Sequence, residues 1–243
     1  MLASLILAFT CITTHAAAPK YKYNRRRNNK LDAIKFGVQI GPSVTAIFRE
    51  TISYPKIENY NITPSNKLIP AFHAGVFGAY KLTDKLDLHV VLLYSRKGNQ
   101  IVIVGKPMVD HTLPTGRSEK KRNLGYLQAT TLINIFPEKS RQFSISLGGY
   151  TSYLVLAKEH IDLYVNETKE DTETNNLKEE DIENKPANFD WGLVLGCGYE
   201  FEVGLIFNVL MDIGLKNLYK DQKGSINLAG QVSIGYNLAK LLR

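Results

Sequence analysis

The side chains best suited to acid–base or covalent chemistry are His73 and His89, with Asp87 and Ser95 flanking the second histidine. A nucleophilic hydroxyl needs a histidine to take its proton and a carboxylate to orient that histidine, all within hydrogen-bond reach. Asp87, His89 and Ser95 share alternate-residue parity, so on a strand they point to one face. Asp87 and Ser95 nevertheless lie about 26 Å apart along a strand at 3.3 Å per residue, too far to serve one site. No catalytic residue is therefore assigned, and these side chains are expected to satisfy one another's neighbours inside the fold. His111 and His160 are expected in solvated loops.

Metal and cofactor chemistry finds no better footing. Cys11 sits in an apolar leader and Cys197 in an alternating segment, so no zinc spacing exists and no disulfide within the mature chain is expected. Cys197 reads as a small apolar side chain on an outward face. The stretch from Lys158 to Lys185 is strongly acidic (Glu170-Asp171, Glu173, Glu179-Glu180-Asp181), but it lacks the turn glycine and Asp-x-Asp spacing of a calcium loop. It reads as a solvated, mobile loop. Asn61-Ile62-Thr63 and Asn166-Glu167-Thr168 match the glycosylation sequon, a short pattern read here as coincidence. No metal or cofactor is expected.

The formal net charge is +7. Lys20, Lys22, Arg25, Arg26, Arg27 and Lys30 fall in one short tail and account for most of that surplus. The rest is close to balanced and carries no basic helix, which argues against nucleic-acid binding.

The elements that must position these residues start with an apolar run, Leu2 to Ile12, followed by Thr13-Thr14-His15-Ala16-Ala17-Ala18. Small residues closing a short apolar run mark a signal-peptidase site after Ala16 or Ala18. The expected organisation is a signal peptide over 1–18, a basic periplasmic tail over 19–32 and a β domain over 33–243. No later stretch is long and apolar enough for a spanning helix.

From residue 34 the chain repeats apolar residues against small or polar ones at period two, the signature of strands. Ile34, Phe36, Val38, Ile40 and Val44 alternate with Lys35, Gly37, Gln39, Gly41 and Ser43. Similar segments follow around residues 72–82 (where Phe77 breaks the rule), 86–95, 127–135, 143–155, 189–201, 205–216 and 226–238, eight in all. The polar face is dominated by Gly, Ser, Ala and Asn rather than Lys, Glu and Thr. Small residues suit the crowded inside of a narrow barrel, and bulky aliphatics on the other face suit lipid. Tight turns at Thr83-Asp84-Lys85, Pro137 to Gln142 and around Glu202-Val203 alternate with long links at 49–69, 97–122, 157–188 and 218–225. That asymmetry, with turns in the periplasm, belongs to outer-membrane barrels. The fold class is therefore all-β: a transmembrane antiparallel up-and-down β-barrel of about eight strands. Lys35, Lys81, Asp87 and Glu200 fall on the inward face at the periplasmic end and are expected to form a charged belt there.

Phe72-His73-Ala74-Gly75-Val76-Phe77, Lys81-Leu82-Thr83-Asp84-Lys85-Leu86 and Leu92-Leu93-Tyr94-Ser95-Arg96-Lys97-Gly98 resemble the small outer-membrane β-barrel family common in the Bacteroidetes, sometimes called porin-T-like. Tyr126-Leu127-Gln128, Gly148-Gly149-Tyr150 and Gly214-Leu215-Lys216-Asn217-Leu218 continue the resemblance, which spans roughly 33 to 240. The family usually has Glu where Gln128 stands and Pro where Thr130 stands. The resemblance implies a fold and a membrane rather than a reaction; some relatives serve a protein secretion apparatus.

Together these readings lead to the expectation of a non-enzymatic integral barrel of the bacterial outer membrane, surrounded by outer-membrane lipid and monomeric. Its loops or periplasmic face would bind secretion or envelope proteins. A narrow solute pore is the alternative, and a lipid-modifying enzyme a second one. Eight strands generally leave a filled lumen, which weighs against the pore.

Overall fold

The computed structural model describes residues 33–48, 60–107, 114–166, 168–177, 186–219 and 225–241. The leader, the basic tail and His111 lie outside the described residues. Among the described residues ten strands form one antiparallel sheet: β1 (Ile34–Phe48), β2 (Tyr60–Lys67), β3 (Ile69–Lys81), β4 (Leu86–Pro107), β5 (Gly116–Ile135), β6 (Phe143–Val165), β7 (Thr168–Asn176), β8 (Phe189–Glu200), β9 (Leu205–Gly214) and β10 (Ile226–Asn237). Eight of them close a ring in the order β1-β3-β4-β5-β6-β8-β9-β10, with β10 returning to β1 through pairs such as Val38–Tyr236. Closure leaves no open ladder at membrane depth, the condition for crossing a bilayer with strands. No described helix is long and apolar enough to cross a membrane.

The alternation places the two faces as expected. Outward Ile40, Leu195 and Val209 are 61%, 43% and 43% exposed, whereas inward Ser233 and Gln231 are 0% and 2%. A water-soluble calyx would show the reverse. The short turns stand at one end: Leu82 N–H and Thr83 N–H both donate to Leu86 O, and Gly204, at φ +94°, turns β8 into β9.

One expectation is extended and one is corrected. The interior is not filled by small residues alone. Phe77, Val91, Leu93 and Ile206 form one buried apolar cluster, and Leu132, Tyr150, Val194 and Leu210 another. Glycines make the room. Gly37 faces Phe77 across the β1–β3 ladder, and a Cβ on Gly37 would lie 2.7 Å from the Phe77 ring. Phe77 breaks the alternation as expected, and the reason is that it is a large inward residue seated on a small one, as close packing requires.

The long links are also shorter than expected. β4 runs on to Pro107 and β5 begins at Gly116, so most of 97–122 is strand. Within 49–69 and 157–188, β2 pairs with β4 and β7 pairs with β6. The acidic stretch is therefore in part a hairpin arm. The result is a five-stranded extension, β2-β4-β5-β6-β7, continuing beyond the ring at the end opposite the short turns.

Candidate functional site

Inward side chains bring charged residues into the lumen at three levels. At the turn end, Lys35 starts β1 and Glu200 ends β8, and the ring brings them together: Lys35 Nζ donates to Glu200 Oε2 at 2.6 Å and lies 3.9 Å from Asp87 Oδ2. Asn237 Nδ2 donates to Glu200 Oε1 at 3.0 Å. Lys81 and Asp87 are direct partners across the β3–β4 ladder, on one face as expected. The Lys81 ammonium nevertheless turns away to Asp84 Oδ1, at 2.7 Å in the turn. That hydrogen bond, with the ammonium charge, holds the Asp84 carboxyl below its usual range.

Arg141 takes the place Lys81 leaves. Its guanidinium pairs with Asp87, donates to Thr83 O at 3.1 Å and stacks 4.2 Å from the Phe136 ring centroid. Arg141 sits at φ 55°, a left-handed conformation that a side chain adopts at a cost. The belt is thus Lys35, Arg141, Asp87 and Glu200, two charges of each sign. The cavity beside it measures about 30 Å³, room for one water.

Halfway along, Lys97 is fully buried, with Nζ 3.4 Å from Asp212 Oδ2 and 4.1 Å from the Tyr150 ring centroid. Gln128 Nε2 and Gln231 Nε2 donate to the same Asp212 oxygen at 3.0 and 2.7 Å. Tyr150 hydroxyl and Asn227 Nδ2 each donate to Asp190 Oδ2 at 2.9 Å. Farther out, Arg122 Nε donates to Glu159 Oε1 at 2.7 Å and Nη1 to the Tyr219 hydroxyl at 3.0 Å, while Lys120 Nζ lies 3.1 Å from Glu159 Oε2. Among the described residues of the three levels, five cations pair with four carboxylates, and Asp190 is held by neutral donors, so no buried charge there lacks polar partners.

The residues weighed for chemistry separate. His73 lies opposite Ser95 in register, but its Nε2 meets Ser233 Oγ, at 2.7 Å. His89 meets Asn134 at 3.0 Å, and Asp87 belongs to the belt. His73 and Ser233 are both 0% exposed, enclosed where no substrate reaches. His160, on β6, meets Thr174 Oγ1 at 2.8 Å. Cys197 is partly exposed on the outward face and is a free thiol among the described residues. Among the described residues no cluster of metal-ligating side chains occurs. The alternating pattern does not reveal Arg141, Lys97 or the outer set of Lys120, Arg122 and Glu159. Arg141 stands in a turn and Lys97 at what reads as the start of a loop, so period two flags neither.

The sequence family described as outer membrane protein beta-barrel domain matches residues 24–220. No curated protein matches the chain. Among solved structures, similar chains include Ail, the attachment invasion locus protein of Yersinia pestis, in complex with the heparin analogue sucrose octasulfate. It is 9% identical, over 84% of this chain and 98% of that one, with a TM-score of 0.38. Neisserial surface protein A is 12% identical over 83% and 96%, with a TM-score of 0.41. The outer membrane protein OprG from Pseudomonas aeruginosa is 15% identical over 84% and 96%, with a TM-score of 0.37.

Proposed function

We propose, from the premise that the chain belongs to the outer membrane protein beta-barrel domain family, that it acts as a closed, non-catalytic barrel whose outer extension and periplasmic face bind a partner. The observation that carries this reading is the mid-lumen pair of Lys97 and Asp212, sealed between the apolar cluster of Leu132, Tyr150, Val194 and Leu210 on its turn side and that of Ile47, Leu124, Tyr126 and Leu154 on its outer side. A pore needs a continuous wet path, and a buried lysine held by a carboxylate and an aromatic ring is the opposite arrangement. Chemistry needs an accessible nucleophile, and His73 with Ser233 is enclosed.

The binding half of the reading rests on the five-stranded extension. Among the described residues β2 pairs with β4 alone and β7 with β6 alone, and Leu163 and Val165 are 44% and 40% exposed on the extension, away from the ring. Apolar side chains exposed beyond lipid mark an interaction surface. Service in a protein secretion apparatus is the specific form that the family resemblance implies. In this reading residues 1–18 direct export and 19–32 remain in the periplasm.

Purified full-length chain in planar bilayers should give no conductance steps; steady ohmic conductance would replace this reading with the solute pore. In cells, a photocrosslinking residue at Leu163 should yield a discrete adduct that one at Val209 does not. A deletion strain should keep its lipid composition and, for the secretion form, lose surface delivery of secreted proteins.

A further inference from the structure

The outward face carries a second arrangement that lumen and extension leave unused. Across β3, β4, β5, β6 and β8 the apolar belt is hollowed by a groove of about 480 Å³. Its floor is made by small residues, since Ala129 and Thr151 face each other in register with Leu92 beside them. Tyr94, Tyr153 and Phe189 wall its outer end; they belong to one row across the strands, through Leu127. Tyr94 also contacts Phe72, with ring centroids 5.9 Å apart.

Directly beyond that aromatic row the outward face turns cationic. Arg96 follows Tyr94 by two residues on β4, about 7 Å along the strand. Lys158 stands in the next row of the sheet, and Lys121 with Lys67 in the row after that. Their chain neighbours Lys97, Glu159 and Arg122 are buried in the lumen, so Arg96, Lys158 and Lys121 point out, and Lys67 does the same because its neighbour Asn66 turns in to accept from buried Asn99. Among the described residues no Asp or Glu faces outward in the three rows. The acids begin one row farther, where Glu119 is engaged by Arg117 and Asp162 by Lys169. Four cations at the level where the apolar belt ends call for anionic headgroups.

We propose that this face seats a phosphorylated, multiply acylated lipid of the outer leaflet, with one acyl chain in the groove and its phosphates on Arg96, Lys158 and Lys121. The groove supplies a fit that a smooth barrel wall lacks, and guanidinium and ammonium groups form charge-assisted hydrogen bonds with phosphate oxygens. The assignment is independent of what binds the extension.

The test uses the full-length barrel in detergent, native mass spectrometry and four probes: diphosphorylated hexa-acyl lipid A, its dephosphorylated form, phosphatidylglycerol and phosphatidylethanolamine. The diphosphorylated lipid should be retained at least about tenfold more tightly than the other three, the worth of roughly one charge-assisted hydrogen bond. R96Q/K121Q/K158Q should erase the preference for the phosphorylated form, and Ala129→Phe should weaken retention of both forms of the glycolipid. Thr151→Leu is the second groove-filling variant, and the gel shift of the unheated barrel checks that each variant folds. Equal retention of phosphatidylglycerol, no effect of the triple charge variant, or no effect of filling the groove would each overturn the assignment. So would a lipid-free dimer that the groove-filling variants dissociate.

Discussion

Lys97 Nζ and Asp212 Oδ2 lie 3.4 Å apart in the middle of the lumen, on opposite sides of the ring and both fully buried. Neither charge has water to turn to, so each depends on the other and on Tyr150, Gln128 and Gln231.

Removing one partner should therefore cost more than removing both charges. Lys97→Met should destabilise the barrel by about 3–5 kcal/mol, because it leaves an uncompensated carboxylate. Lys97→Met combined with Asp212→Asn should recover much of the loss, since the amide oxygen still accepts from Gln128 and Gln231. Urea unfolding in lipid vesicles measures both, and a double variant no more stable than the single one would contradict the argument.

At the turn end, Arg141 has two separable roles. Arg141→Ala and Arg141→Gly both remove the pair with Asp87, but only alanine keeps a Cβ at φ 55°. The glycine variant should be the more stable by about 1 kcal/mol. Equal stabilities would mean that the backbone there relaxes freely.

Leu195→Arg or Val209→Arg should cost about 2–4 kcal/mol near the membrane midplane. The natural inward comparison, Ser146→Ala, is not silent: Ser146 Oγ donates to buried Asn134 Oδ1 at 2.8 Å. Its loss should cost about 1 kcal/mol. The ranking of the two faces is the measurement, and an inward loss as large as the outward one would reverse the orientation.

Shortening the β6–β7 hairpin should leave assembly intact. Ile161 faces Glu173 directly, so an Asn-Gly turn in place of residues 162–172 closes the ladder. Leu177, beyond the hairpin, is different: it is 3% exposed in a cluster with Ile47, Tyr126 and Leu218. Leu177→Ala should cost about 2–5 kcal/mol, and the heat-dependent gel shift with urea midpoints compares the two variants.

The turn salt bridge has a pH signature. Asp84 is held below its usual carboxyl value of 3.8 by the hydrogen bond from Lys81. A depressed folded pKa means a contribution present above the unfolded value and lost as pH falls through the lowered one. Lys81→Met should move the Asp84 titration back up toward 3.8, read by carboxyl NMR in micelles. An unmoved titration would assign the depression to Arg141 instead.

How much of this was written in the residues depends on where lipid lies. The eight ring strands were legible because one side meets hydrocarbon and the other a packed lumen, so Phe189, Trp191, Leu193 and Leu195 alternate cleanly with Asp190, Gly192 and Gly196. β7, Thr168–Asn176, has water on both faces, and its polar run carries no period at all. The ladder that makes it a strand is a property of the backbone. The belt was legible in Lys35, Asp87 and Glu200, whose parity and position fix their level. The Lys81–Arg141 exchange was not, because side-chain reach and a left-handed turn decide it rather than spacing.

The seam between β1 and β10 governs how the chain must reach its native state. Val38 and Tyr236 are ladder partners although nearly the whole ring lies between them in the chain. Closing a segment of that length costs on the order of 3 kcal/mol more than closing one of the short turns. Until β10 arrives, β1 presents an unpaired edge, open to a second chain that brings its own. High contact order makes that last step slow. Folding is then limited by zipping this one junction, and a chain stalled before it accumulates as an aggregation-prone open sheet rather than as a smaller barrel.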